Sequence, residues 1–211
     1  MKRILQLALL PWMGLMLCLS QPAPSVPPSP KSPAKQPEVP AGAETITLGA
    51  GCFWCTEAVY QQIPGVLSVT SGYMGGTVPD PTYEQVCTGE TGHAEVALLV
   101  FDPQVTSLEK ILTKFWQIHD PTSLNRQGAD VGTHYRSAIF YNSDAQRQVA
   151  EKSRDEAARD FAKPIVTEIT RATAFYPAEN YHQNYYRLNK DRNPYCQRVI
   201  APKLKKAGLK E

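Results

Sequence analysis

Residues 45–72 read TITLGAGCFWCTEAVYQQIPGVLSVTSG. Thr45–Ala50 reads as a short strand that runs into Gly51, and Cys52–Gln62 as a helix stopped by Pro64-Gly65. Val66–Gly72 alternates apolar and polar residues, which predicts a second strand that breaks up at Gly75-Gly76. The plan of the chain follows from this strand, helix and strand, with two cysteines where the first strand hands over to the helix.

Outward from that unit, a loop carrying Pro79 and Pro81 leads to a helical turn around Tyr83–Val86 and a strong strand at Ala94–Phe101. Ser107–Ile118 has Leu108, Ile111, Leu112 and Phe115 at helical spacing, with Ser107 as its cap. A long loop is expected over His119–Tyr135, a strand at Ser137–Tyr141, a charged amphipathic helix at Ser143–Phe161 and a strand at Ile165–Arg171. From Ala172 on, one helix is predicted at Ala178–Leu188, then mostly irregular chain with a basic tail. Strands and helices mix without a regular βαβα repeat. The expected fold class is therefore α+β, with helices on one mixed, largely antiparallel sheet and an irregular C-terminal segment.

The 211 residues are 42% hydrophobic and carry 22 Lys and Arg against 20 Asp and Glu, a formal charge of +2. This excludes a disordered chain and a multi-pass membrane protein, and it is too weakly basic to suggest a nucleic-acid partner. Residues 1–43 hold four of the basic side chains, one acid and nine of the 18 prolines, so residues 44–211 keep 18 basic and 19 acidic groups, a net of −1. That stretch is the size of one ordinary domain and is expected to act as a monomer.

Lys2 and Arg3 precede the apolar run Ile4–Leu19, which ends at Ser20 and Gln21, the order of a secretory signal. The run is shorter than the ~20 residues of a membrane span and contains Pro11. Residues 1–20 are read as a signal peptide or signal anchor, and Cys18, preceded by Leu17, leaves a lipid-attached form open. Residues 21–43 hold eight prolines and no aromatic side chain, an extended linker that would hold the domain off a membrane if the signal stays uncleaved. The expected location is outside the cytoplasm, in the periplasm or anchored to a membrane and facing it.

Cys52 sits at the expected start of a helix, where free backbone N–H groups and the helix dipole favour a thiolate, so it should ionise easily. Cys55 lies one helical turn on, at the spacing of dithiol redox pairs, and Phe53 and Trp54 supply apolar surface beside the sulfurs. Buried cysteines can be plain small hydrophobes. Zinc would need two more ligands nearby, and His93, His119, His134 and His182 are scattered singly, so no metal is expected.

GCFWCTEAVY, SGYMGG, PTYEQVCTGETGHAEV, FDP, IHDPTSLNRQGADVGTHYRSAIFY and FYPAENYHQNYY resemble, in order and over about Leu48–Lys203, the peptide methionine sulfoxide reductases of the A type. The resemblance implies a two-layer sandwich with a ferredoxin-like core that reduces the S epimer of methionine sulfoxide, free or in oxidised proteins. It implies no bound cofactor, and thioredoxin or another dithiol as reductant. On its motifs Cys52 is the nucleophile, Glu95 the carboxyl beside the sulfoxide oxygen, and Tyr83 and Tyr135 the two tyrosines. Phe53 and Trp54 form the methyl pocket, and Asp130 and His182 fall at the substrate.

The chemistry of the residues agrees. Sulfoxide oxygen leaves only if protonated, and Glu95, flanked by Val96, Ala97 and Leu98 on a strand, should be partly buried with its pKa raised. Tyr83 and Tyr135 can donate to the same oxygen. Attack leaves a sulfenic acid that a second thiol condenses to a disulfide. Cys196 in NPYCQ occupies the position of the usual resolving cysteine and is the favoured partner. Cys55, where the commoner family form has a small residue, is the alternative. Cys87 is expected to be a buried structural thiol. His134, where glutamine is more usual, is expected to make a tuned hydrogen bond. A general dithiol oxidoreductase and a binding module for oxidised proteins are the competing readings.

Overall fold

Glu44–Ala50 (β1) is a middle strand of the sheet in the computed structural model, which describes residues 36–211. The signal, Cys18 and the linker up to residue 35 lie outside the described residues. After β1 come Phe53–Tyr60 (α1), Val66–Met74 (β2), Tyr83–Cys87 (α2), Ala94–Phe101 (β3), Leu108–Ile118 (α3), the short pair Arg126–Gln127 (β4) and Asp130–Val131 (β5), and Ser137–Tyr141 (β6). The chain continues through Asp144–Ala157 (α4), Glu168–Arg171 (β7), Tyr176–Pro177 (β8), Tyr185–Asn189 (α5) and Ala201–Lys206 (α6). Among the described residues no helix is long and apolar enough to cross a membrane.

Six strands lie in the order β7-β6-β1-β3-β2-β8, antiparallel except where β6 meets β7. The run β1-α1-β2-β3-α3-β6, with β6, β1, β3 and β2 side by side, is the ferredoxin-like core. The two-residue period of a strand divides β3 between two faces. Ala97, Leu99 and Phe101 join Ile46 and Leu48 of β1, Val59 of α1 and Ile111, Leu112 and Phe115 of α3 in the main core. Ala94 and Val96 turn the other way, into a second cluster with Met74, Ala138, Phe140 and Phe175. Each large side chain buried this way contributes roughly 1.5–3 kcal/mol.

The second face is tight at Gly72, where a Cβ would stand 2.5 Å from the Phe175 ring and 2.6 Å from the Tyr176 carbonyl oxygen. Gly72→Ala is therefore expected to destabilise the fold by about 1–3 kcal/mol through overpacking. A lower denaturant midpoint with unchanged slope is the expected reading; an unchanged midpoint would mean that the Phe175 segment yields freely.

Helix starts follow the local sequence. Ser107 Oγ accepts from the Lys110 N–H at 3.4 Å, Ser143 Oγ from the Gln146 N–H at 3.2 Å, and Thr82 and Gln85 form a reciprocal capping box. Departures from the sequence reading have long-range causes. The His119–Tyr135 loop contains the β4-β5 ladder and a 3-10 turn at Thr133–Tyr135. Strand β7 begins only at Glu168, because the Val166 N–H is taken by the Pro121 carbonyl at 2.8 Å.

The helix predicted over Ala178–Leu188 is split into a 3-10 turn at Asn180–His182 and α5, with Asn184 left-handed between them (φ 54°). The Glu57 carboxylate holds that break, accepting the Asn184 N–H at 2.8 Å and the Tyr185 N–H at 3.1 Å. Irregular chain is predicted further on, but Cys196–Ile200 is a π-helix that continues into α6, drawn in by the buried Ile200 and Leu204.

Candidate active site

Gly51 takes φ +83°, in the left-handed region that favours glycine, and turns β1 into α1 with Cys52 at the helix N-cap. The first helical N–H does not serve the sulfur. The Phe53 N–H donates instead to Glu95 Oε2 at 3.1 Å, and Cys52 makes no side-chain cap. Cys52 is buried, and burial first, then hydrogen bonding to Cys55 and the nearby charges of Cys55 and Glu95, pushes its thiol up from the ordinary range. The sequence expectation of an easily ionised Cys52 is thus reversed: desolvation outweighs the end of an eight-residue helix. Cys55 is the thiol whose ionisation is eased, to about 7, because Cys52 donates to it, with lesser help from Lys203 and Tyr195.

Glu95 sits on β3, level with Tyr73 of β2, with its side chain 1% exposed. Burial raises its pKa to about 8 against the opposing bond from Phe53, and the charges of Asp130 and Cys55 add to the rise. A carboxyl expected to be partly buried is fully buried and protonated at neutral pH. Tyr83, first residue of α2, and Tyr135, at the end of the 3-10 turn before β6, both feel the Glu95 charge, and Tyr135 also feels Cys52. Burial is the larger cause that pushes both phenols up and keeps them as donors.

On the other side of Cys52, Phe53 is fully buried and Trp54 half-buried. Trp54 stacks flat on Tyr185, with centroids 3.6 Å apart and planes at 5°. Its Nε1–H donates to His182 Nδ1 at 3.0 Å, and the His182 ring lies 5.0 Å from Phe53 and 4.5 Å from Tyr83. Asp130, on β5, accepts from the Tyr195 hydroxyl at 2.7 Å. The fold therefore gathers Cys52, Cys55, Phe53, Trp54, Tyr83, Glu95, Asp130, Tyr135 and His182 around the first turn of α1.

Cys196 is buried in the same core as Cys52 and Cys55, and Cys55 is the thiol whose charge bears on it. Cys52, Cys55, Cys87 and Cys196 are all free thiols. Among the described residues no three His, Cys, Asp or Glu side chains converge as a metal site. A cavity of about 640 Å³ at the other end of α1, lined by Gln62, Val69, Arg187 and Lys210 among others, contains none of these site residues.

Cys87 and His134 also differ from expectation. Cys87 is exposed, because α2 is a surface helix that buries only Val86; its thiol meets Tyr83 one turn earlier. His134 makes no tuned hydrogen bond at Nδ1, which is buried without a partner. Its ring packs on Tyr135 at 4.1 Å and against Gly132, where a Cβ would come within 2.4 Å of it.

Tyr195, Glu57 and Glu179 escape the sequence reading. The Tyr195 hydroxyl donates to Asp130 and lies close enough to Cys52 and Cys55 to lower the pKa of both thiols. Its only linear signal is its place beside Cys196. Glu57 and Glu179 look like ordinary surface acids in sequence, yet each ties the segment after β8 to the site, Glu57 from α1 and Glu179 through Tyr83.

The family described as peptide methionine sulfoxide reductase matches residues 44–211. Peptide methionine sulfoxide reductase MsrA of Saccharolobus solfataricus is 55% identical over 163 residues, 77% of this chain and 92% of that protein. The crystal structure of Mxr1 from Saccharomyces cerevisiae in reduced form is 37% identical with a TM-score of 0.70, over 74% of this chain and 91% of that one. Mxr1 in complex with Trx2 matches at 27% identity and a TM-score of 0.53, over 72% and 91%.

Proposed function

The chain belongs to the peptide methionine sulfoxide reductase family, an oxidoreductase class, and we propose that it reduces the S epimer of methionine sulfoxide, free and in oxidised proteins. The observation that carries this is Glu95: a buried carboxyl, protonated up to about 8, bonded to the N–H that follows Cys52. Such a group can hand a proton to an oxygen held against the sulfur of Cys52. Tyr83 and Tyr135 donate to that oxygen, and Phe53 and Trp54 receive the methyl group, so that only one arrangement about the sulfur satisfies both walls. In a plain dithiol oxidoreductase, Glu95 and the two tyrosines would have no task.

The thiol of Cys52 attacks the sulfoxide sulfur, oxygen passes to Cys52, and methionine leaves with the balance of one thiol and one sulfoxide giving one sulfenic acid and one thioether. The Cys52 proton has a nearby acceptor in Cys55. Condensation of the sulfenic acid with the Cys55 thiol releases water and forms the first disulfide. Attack by Cys196 on Cys55 then frees Cys52 and moves the disulfide to the C-terminal segment. We place Cys55 before Cys196 because Cys55 lies within the same helical turn as Cys52, its N–H donating to the Cys52 carbonyl at 3.1 Å, and acts on the Cys52 thiol, whereas the thiol that bears on Cys196 is Cys55.

A dithiol closes the cycle, and the complex of Mxr1 with Trx2 supports a thioredoxin-type partner. Lys2, Arg3 and the run Ile4–Leu19 support export, so the reductant would be a periplasmic thiol relay and the enzyme would act there on oxidised proteins.

The test of the activity is incubation of the full chain with dithiothreitol and each epimer separately, read by mass. Loss of one oxygen from the S epimer alone is expected; binding without loss of oxygen overturns the reading. For the relay, Cys55→Ser is expected to accumulate a sulfenic acid that a dimedone probe captures. Cys196→Ser should form the internal disulfide but lose recycling by thioredoxin. The opposite pattern would put Cys196 first.

A further inference from the structure

Glu179 meets the oxygen-side wall directly and the methyl-side wall through the His182 ring. Its Oε1 accepts the Tyr83 N–H at 3.0 Å, satisfying one of the orphan donors at the start of α2. Its Oε2 accepts the hydroxyl of the fully buried Tyr73 at 2.9 Å. The same oxygen stands 3.9 Å from His182 Nε2, which is buried without a hydrogen bond. Because His182 Nδ1 accepts the Trp54 indole N–H, a neutral ring must carry its proton on Nε2, facing Glu179. His182 is 1% exposed, and burial lowers its pKa to about 4, which keeps it in that neutral form.

The oxygen side and the methyl side of the site come from elements far apart in sequence, α2 and α1. The turn that carries Glu179 and His182 joins them, through the Tyr83 backbone on one side and the Trp54 indole on the other. We propose that Glu179 is a positioning residue for sulfoxide reduction, fixing the separation between the oxygen donor Tyr83 and the methyl-side wall Trp54. This rests on the sulfoxide reductase reading above. Glu179 touches no substrate; it acts by holding the start of α2 and by orienting the His182 tautomer that holds Trp54. Without it, the Tyr83 hydroxyl can drift, and a shift of ~1 Å in such a group costs on the order of 10²-fold in rate.

The test is a double-mutant cycle on the reductive step of the full chain with S-methionine sulfoxide, using Glu179→Ala and Tyr83→Phe singly and together. Glu179→Ala is expected to lower kcat by about tenfold or more, while KM moves less than ~threefold, since the interaction it governs matters most in the transition state. In the Tyr83→Phe background the same change should cost less than ~threefold, because the donor it places is already gone. Glu179→Gln, which keeps an acceptor for the Tyr83 N–H, should recover most of the loss; should the alanine variant unfold, Glu179→Leu takes its place in the cycle. The Trp54 indole N–H resonance should shift in Glu179→Ala and return toward its wild-type position in Glu179→Gln. Equal losses in both backgrounds, or a wild-type kcat in Glu179→Ala, overturn the positioning role alone. No turnover by the wild type overturns the functional reading and this role with it.

Discussion

Replacing Cys52 by serine is expected to abolish reduction of S-methionine sulfoxide with dithiothreitol, leaving Phe53, Trp54 and Glu95 in place. A serine hydroxyl ionises far less readily than a thiol and cannot carry the oxygen as a sulfenic acid. The substitution removes one buried sulfur at the head of α1 without altering the turn at Gly51, so the fold should persist, and an unchanged thermal midpoint is the control. A dimedone probe should label Cys52 after one turnover of a variant with Cys55 and Cys196 replaced, and should leave Cys52→Ser unlabelled. Activity surviving in Cys52→Ser would remove the nucleophile from the scheme; a label on Cys55 would move it one turn along the helix.

Glu95→Gln is the second large effect. Glutamine keeps the side-chain shape and an oxygen for the Phe53 N–H but has no proton to give, so the reductive step should slow by on the order of 10²–10⁴-fold. The substrate should still bind, because Phe53, Trp54, Tyr83 and Tyr135 remain, and the loss should fall on kcat. An undiminished kcat would refute Glu95 as the acid.

The same variant reports the carboxyl's state through stability. The folded pKa of Glu95, about 8, lies above the ordinary 4.5, so the folded state holds a proton that the unfolded chain gives up. Its contribution to stability is full below about 4.5 and is lost as pH rises through about 8. Glu95→Gln, which does not titrate, should therefore gain on the wild type in unfolding midpoint from pH 5 to 8. A constant difference across that range would show that Glu95 ionises normally.

Glu57 obeys the same sign, with a folded pKa of about 7 caused by burial. It accepts the two N–H groups that open α5, and that segment leads to Tyr195 and Cys196. Site chemistry and C-terminal anchoring thus share one short helix: α1 carries Cys52 and Cys55 at its start and Glu57 one turn later.

Local physics made the sequence legible where it alone decides structure. The strand pattern of Ala94–Phe101, the helical spacing of Leu108, Ile111, Leu112 and Phe115, and the glycine before Cys52 each fix their element by interactions within a few residues. The motif GCFWC likewise placed two thiols and two aromatic rings on one turn, and the strand around Glu95 marked it for burial. Tertiary packing decided the rest, because it depends on groups brought together from separate parts of the chain. It buries Cys52 and reverses its expected ionisation, and it aims Tyr195 at both sulfurs. It also turns Glu57 and Glu179 from surface acids into fasteners, and it breaks the predicted helix at Asn184. A sequence specifies which side chains can ionise or donate; how much water, charge and hydrogen bonding surrounds each is a property of the folded neighbourhood, and pKa follows that neighbourhood.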